Sequence, residues 1–97
     1  MLQEIEKKID EEIDYVCDKF SKNVNEWIES SGKTSGFVQK ISEVYKHYIN
    51  SYSRFTGYVD ALYDFNKITI EEVGIKEKEC VRKLTEIKED FLNPLIR

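Results

Sequence analysis

The sequence predicts an all-α protein, an elongated up-down-up three-helix bundle with helices at about residues 2–29, 36–65 and 70–93. Three observations carry that prediction. Between Phe37 and Phe65 an apolar row runs Val38, Ile41, Tyr45, Tyr48, Tyr52, Phe55, Val59, Leu62, and gaps that alternate three and four keep side chains on one helical stripe. Only one proline and four glycines interrupt 97 residues rich in Lys, Glu, Ile and Leu, which favours long helices over a many-turned sheet. The breaks near residues 30–36 and 66–68 are short, and short loops force neighbouring helices antiparallel. A chain of this length makes one domain, 1–97, burying roughly 60 to 65% of its unfolded surface. A 29-residue helix is about 43 Å long, whereas a compact chain of this size has a radius of gyration of about 12 to 13 Å. An elongated rod is therefore expected, unless Gly57 interrupts the middle helix.

The first helix carries Leu2, Ile5, Ile9, Ile13, Val16, Cys17, Phe20, Val24, Trp27 and Ile28, spaced mostly by four. That spacing drifts from a strict heptad and describes a packed bundle helix. Residues 1–30 hold nine acids against four lysines, while the rest of the chain is close to neutral, so the net charge of −4 belongs to this helix. After it, Ser30-Ser31-Gly32-Lys33-Thr34-Ser35-Gly36 marks a break. Gly32 is expected to end the helix in the left-handed conformation, and Thr34 or Ser35 to cap the next. The Gly-Lys-Thr within it is no phosphate-binding loop, because Trp27 stands where the first glycine belongs and a helix precedes it.

The middle helix has a stripe wider than one partner can cover. Val44, Tyr58 and Phe65 extend it on one flank, Ile49 and Tyr63 on the other. Tyr45, Tyr48 and Tyr52 read as core residues whose hydroxyls want partners. The third helix starts at a capping box, Thr69-Ile70-Glu71-Glu72, with Ile68 and Val73 placed as a hydrophobic staple. Val73, Cys80, Val81, Leu84, Ile87 and Phe91 continue its apolar stripe, interrupted by Glu77, which calls for water or a basic neighbour. Pro94 should end this helix near Asn93.

The chemistry the chain excludes is broad. An acidic balance without clustered Lys and Arg argues against direct nucleic-acid binding. No apolar run approaches the ~18 residues that span a bilayer, and Met1–Asp10 is charged where a signal peptide is apolar, so the expected compartment is the cytoplasm. Cys17 and Cys80 belong to no metal-binding or redox motif and are expected as buried free thiols. The lone His47 lies on a polar face with no nucleophile beside it, so neither catalysis nor a cofactor or metal is expected.

What remains is a surface. Glu6, Asp10, Asp14 and Asp18, with Glu11 alongside, stack along one side of the first helix at a spacing that costs about 0.2 to 0.5 kcal/mol per like-charged pair. Lys7, Lys22, Lys76, Arg82 and Lys83 are cations that could offset it. The leading expectation is a non-enzymatic protein-binding module, an inhibitor or adaptor docking Glu6, Asp10, Glu11, Asp14, Tyr15 and Asp18 on a basic site of another protein. In size and charge the chain resembles the small acidic helical inhibitors that phages direct at bacterial defence proteins, the anti-CRISPR proteins among them, which implies an anti-defence role. It departs from secreted helical hairpins that turn at Trp-x-Gly, since Trp27-Ile28-Glu29 lacks that glycine. The alternative expectation is an assembly subunit, a homodimer or larger oligomer formed through Ile49, Tyr58, Tyr63 and Phe65. Trp27 is expected to plug the end of the bundle.

Overall fold

The computed structural model describes residues 1–96, and Arg97 lies outside the described residues. Three helices, α1 (Gln3–Ser30), α2 (Phe37–Asp64) and α3 (Ile70–Ile96), form an up-down-up bundle measuring 47 × 22 × 18 Å with a radius of gyration of 15.3 Å. Each long helix contacts both of the others. The first two helices match the expected bounds to within a residue or two, which is the tolerance of any helix end.

The core is one continuous cluster. Ile9, Ile13, Val16, Phe20 and Val24 of α1 meet Val44, Phe55 and Val59 of α2 and Val73, Cys80 and Leu84 of α3. Phe20 is fully buried, with its ring centroid 6.2 Å from those of both Tyr48 and Phe91, so it joins all three helices at one level. Burial of such a side chain contributes about 1.5 to 3 kcal/mol.

The two breaks resolve differently. At the second, Asn66 adopts φ 58°, the only described non-glycine residue with positive φ. The Asn66 amide donates to the Tyr63 carbonyl at 2.9 Å and the Lys67 amide to the Leu62 carbonyl at 2.9 Å. This Schellman arrangement satisfies carbonyls at the end of α2, and asparagine is the residue best suited to it after glycine. The capping box follows as expected: the Thr69 amide donates to Glu72 Oε1 at 2.8 Å, and the Glu72 amide donates to Thr69 Oγ1 at 3.2 Å. Ile68 and Val73 of the staple are buried.

At the first break two expectations are corrected. Gly32 does not take the left-handed conformation; it opens a one-turn 3₁₀ helix, Gly32–Thr34, with negative φ. Its glycine character answers a close approach instead, because a Cβ there would lie 3.1 Å from Trp27 Cζ3 and 3.3 Å from the Ile28 Cβ. Nor do Thr34 and Ser35 cap α2. Both hydroxyls donate backward to the Ser31 carbonyl, at 3.2 and 2.8 Å, and the N-cap position of α2 is Gly36. Backward donation satisfies a carbonyl just past α1, which competes with capping for the same hydroxyl.

The end of α3 is the third correction. The helix passes through Pro94 to Ile96. Pro94 removes a single donor in the final turn, and the packing of buried Leu92 and half-buried Leu95 against the core holds that turn in place. Gly57, by contrast, sits unbroken in mid-helix with open space where its Cβ would be.

These glycines predict opposite effects. Gly57→Ala should raise stability by about 0.5 to 1 kcal/mol by removing backbone freedom from the unfolded chain. Gly32→Ala should lower it by roughly 1 kcal/mol, since the added methyl presses on Trp27 and Ile28. Urea denaturation of the two variants beside the parent checks both signs.

Candidate functional site

Two surfaces emerge from the packing, one charged and one apolar. The charged one is the edge where α1 lies beside α3. Lys76 stands three residues after Val73 and four before Cys80, within the apolar stripe of α3, and is buried. Its Nζ donates to Asp10 Oδ1 at 2.8 Å and lies 3.8 Å from Glu6 and 3.6 Å from Glu79. Further along, Lys83 Nζ is 3.6 Å from Asp14. Of the cations offered by sequence, Lys76 and Lys83 thus meet the acidic row. Arg82 instead pairs with Glu86 on its own helix, and Lys22 with Glu26.

The row is tethered without being covered. Side chains of Glu6, Asp10 and Asp14 remain 53, 47 and 70% exposed. Glu11 and Asp18 are exposed and form no ion pair among the described residues. Burial disfavours the Lys76 ammonium, but its hydrogen bond to Asp10 and the charges of Asp10, Glu79 and Glu6 outweigh that and hold its pKa above the ordinary 10.5.

Beside the row, Tyr15 is 45% exposed and lies under Arg54 of α2, whose guanidinium carbon is 4.6 Å from the ring centroid. Arg54 Nε also donates to Glu12 Oε1 at 3.3 Å. This α2 cation over an α1 tyrosine was hidden from sequence reading, because 39 positions separate the two residues and only the antiparallel pairing brings them together. His47 lies 3.4 Å from Glu43 in a shallow polar groove with Asn23, Asn50 and Ser51.

The apolar surface lies on the opposite side, where α2 meets α3. Tyr48 Oη is 3.2 Å from Thr85 Oγ1, and Tyr52 Oη donates to Glu77 Oε2 at 3.4 Å. Glu77 therefore finds a phenol where sequence reading asked for water or a cation. Lys88 Nζ covers the rings of Tyr45 and Tyr48, at 5.1 and 4.6 Å from their centroids. Tyr45, expected in the core, is exposed on this side, together with Val38, Ile49 and Tyr63.

The four residues expected to form an oligomer interface do not make one patch. Ile49 and Tyr63 face outward on the α3 side. Tyr58 is half-buried against the core near Ile5 and Leu62, where burial and then the Glu12 and Glu11 charges push its hydroxyl above the ordinary range. Phe65, seven residues on from Tyr58, is the exposed C-cap of α2. Two flanks of a helix this wide cannot share one flat partner.

Cys17 and Cys80 are free and buried, as expected. Burial pushes the first up to about 11 and the second, which the neighbouring Cys17 raises further, up to about 12. Thiols held so far from ionisation are packing groups and not nucleophiles. Among the described residues no three His, Cys, Asp or Glu are grouped to hold a metal ion, and no helix is long and apolar enough to cross a membrane. Comparison with models of known protein families, with curated proteins and with solved structures finds no match.

The buried thiols and Lys76 predict alkaline lability. In the unfolded chain the thiols ionise near 9.0, and in the folded protein only at about 11 and about 12, so stability should fall as pH rises above 9.0. Lys76 has the same sign: its raised folded pKa gives stability that is complete below 10.5 and is lost at higher pH. Replacing both Cys17 and Cys80 by Ala should delay the decline until the lysine and tyrosine range, read from denaturation midpoints against pH. At neutral pH, Lys76→Met should cost roughly 1.5 to 3 kcal/mol through the lost charged hydrogen bond to Asp10.

Proposed function

We propose that this protein works by binding another protein, as an inhibitor or adaptor with no chemistry of its own, and that the α1–α3 edge meets a basic site on that partner. The observation that carries this reading is the charge left over along that edge. Glu6, Asp10, Glu11, Asp14, Asp18 and Glu79 share it with Lys7, Lys76, Lys83 and, beside Asp18, Lys22, and its carboxylates keep much of their surface in water. Lys76 holds part of the row in place from beneath, so the carboxylates are presented at fixed spacing on a rigid element. Such preorganised charge favours steering and register over raw affinity. Tyr15, clamped by Arg54, adds an exposed aromatic of the kind enriched where proteins meet. The anti-defence inhibitor is the sharpest version of this reading, and two free buried thiols suit a reducing cytoplasm.

A second reading, an assembly subunit, is favoured by a separate observation. Val38, Tyr45 and Ile49 leave apolar side chains uncovered on one flank of the first half of α2, and Tyr63 does so near its end.

Salt tests the first reading. Affinity for a partner captured from lysate at low ionic strength should drop at least about tenfold at high salt, because exposed charges are screened within a Debye length. Glu11→Gln with Asp18→Asn, which breaks no ion pair within the bundle, should lose about tenfold at low salt. Binding that is flat in salt and indifferent to the double variant rejects the α1–α3 edge as the contact surface.

A further inference from the structure

We propose that the end of the bundle where α1 begins, α2 ends and α3 begins binds an amphipathic anion, a free aliphatic chain carrying one carboxylate head. The two ends of the rod differ. At one, half-buried Trp27 packs against the buried Gly32 of the 3₁₀ turn. At the other Phe65 is turned out, 76% exposed, and a cavity of about 780 Å³ opens beside Leu2, Ile5, Tyr63 and Ile68. A second hollow of about 280 Å³ adjoins it between α1 and α2, sharing Ile5 and Lys67 and adding Lys8, Tyr58 and Leu62. The larger volume falls within the roughly 300 to 1,000 Å³ of small-molecule sites, which join apolar walls to a few placed polar groups.

Charge decides the head of the ligand. Lys8 and Lys67 line these hollows and form no ion pair among the described residues, while Glu72 is the one carboxylate of the lining. Glu72 is already committed: it accepts from the Thr69 amide at 2.8 Å and stands 3.0 Å from the Met1 amino group. Glu4, Glu11 and Glu12 border Lys8 along α1, but none is within ion-pair distance of it, and Glu12 is held by Arg54. Lys67 is put in place by the turn that ends α2, where Asn66 takes φ 58° and the Lys67 amide donates to the Leu62 carbonyl at 2.9 Å. Two free ammonium groups therefore flank an apolar floor in a protein whose net charge is −4. That combination answers an apolar body with a single negative head. A free molecule suits it better than a bilayer does. Outside the cavity, exposed Glu4, Asp64 and Glu71 outnumber Lys7 at this end and oppose an anionic membrane surface, so the unpaired cations serve the lining.

Dodecanoate, kept below its micelle concentration, is the probe, and dodecyltrimethylammonium is the same chain with a cationic head. Titration followed by amide chemical shifts should show saturable one-to-one binding of dodecanoate, with shifts confined to residues 1–8 and 58–72, and binding of the cationic chain at least about tenfold weaker. Lys8→Gln with Lys67→Gln breaks no ion pair within the bundle, and circular dichroism confirms that the variant stays helical. It should bind dodecanoate about tenfold more weakly than the parent. Dodecanoate that does not saturate, that shifts Val38, Tyr45 and Ile49 instead, or that binds parent and variant alike overturns the site. Equal binding of the two head groups overturns the anion. Capture of the protein by anionic phospholipid vesicles, without saturable binding of free dodecanoate, overturns the free ligand in favour of a lipid surface.

Discussion

The ammonium of Lys76 is the interaction on which the arrangement of the three helices depends. α1 and α3 run parallel and no loop joins them directly, so nothing in the connectivity sets their register. Lys76 sets it, by donating to Asp10 and standing near Glu6 and Glu79 from within the apolar stripe of α3. A buried cation is unfavourable unless partnered, and two of its three carboxylates, Glu6 and Asp10, belong to α1 and so leave α3 little freedom to slide. The same contact explains how α1 tolerates acids stacked every four residues. Their mutual repulsion is answered by Lys76 and Lys83 across the interface, not along the helix.

With α1 and α3 locked, the geometry of α2 follows. The wide stripe of α2 has two neighbours to satisfy, and Phe20 gathers Tyr48 and Phe91 at one level of the core that all three helices share. The rod is nevertheless too thin to cover every apolar side chain of that stripe. Tyr58 goes to the α1 side and is half-buried; Tyr45, Ile49 and Tyr63 go to the α3 side and are left at the rim. A 47 Å rod with a 22 × 18 Å section has much surface for its volume, and uncovered apolar length is the consequence. The two faces therefore differ in kind. One offers half-exposed carboxylates held from beneath, the other an aliphatic and aromatic strip bordered by charges of both signs.

Local signals were legible wherever a short-range rule governs the outcome. The capping box at Thr69 and Glu72 and the staple of Ile68 on Val73 depend on four or five adjacent residues, and they form as the pattern requires. The first break misled because Gly32 has two uses, left-handed turning and close approach, and the contact with Trp27 that decides between them is a packing contact. Pro94 misled for a related reason. Its local penalty is one lost donor in a final turn, and burial of Leu92 and Leu95 outweighs it. The tyrosines divide the same way: periodicity places Tyr45, Tyr48 and Tyr52 on one stripe, but only the crossing of α2 over α3 decides that Tyr45 stays at the surface beneath Lys88.

By itself the sequence determined the class, the number of helices, their bounds at all but the last turn, most of the core residues and the acidic row, because each is written in spacing and composition along a single helix. The tertiary structure decided which cations meet which acids, that Arg54 clamps Tyr15, and which flank of α2 remains open. Those outcomes depend on the relative rotation and register of separate helices. Helical periodicity specifies which residues share a face, but carries no information about the height at which two faces meet; long-range ion pairs and the fit of a few aromatic rings supply that.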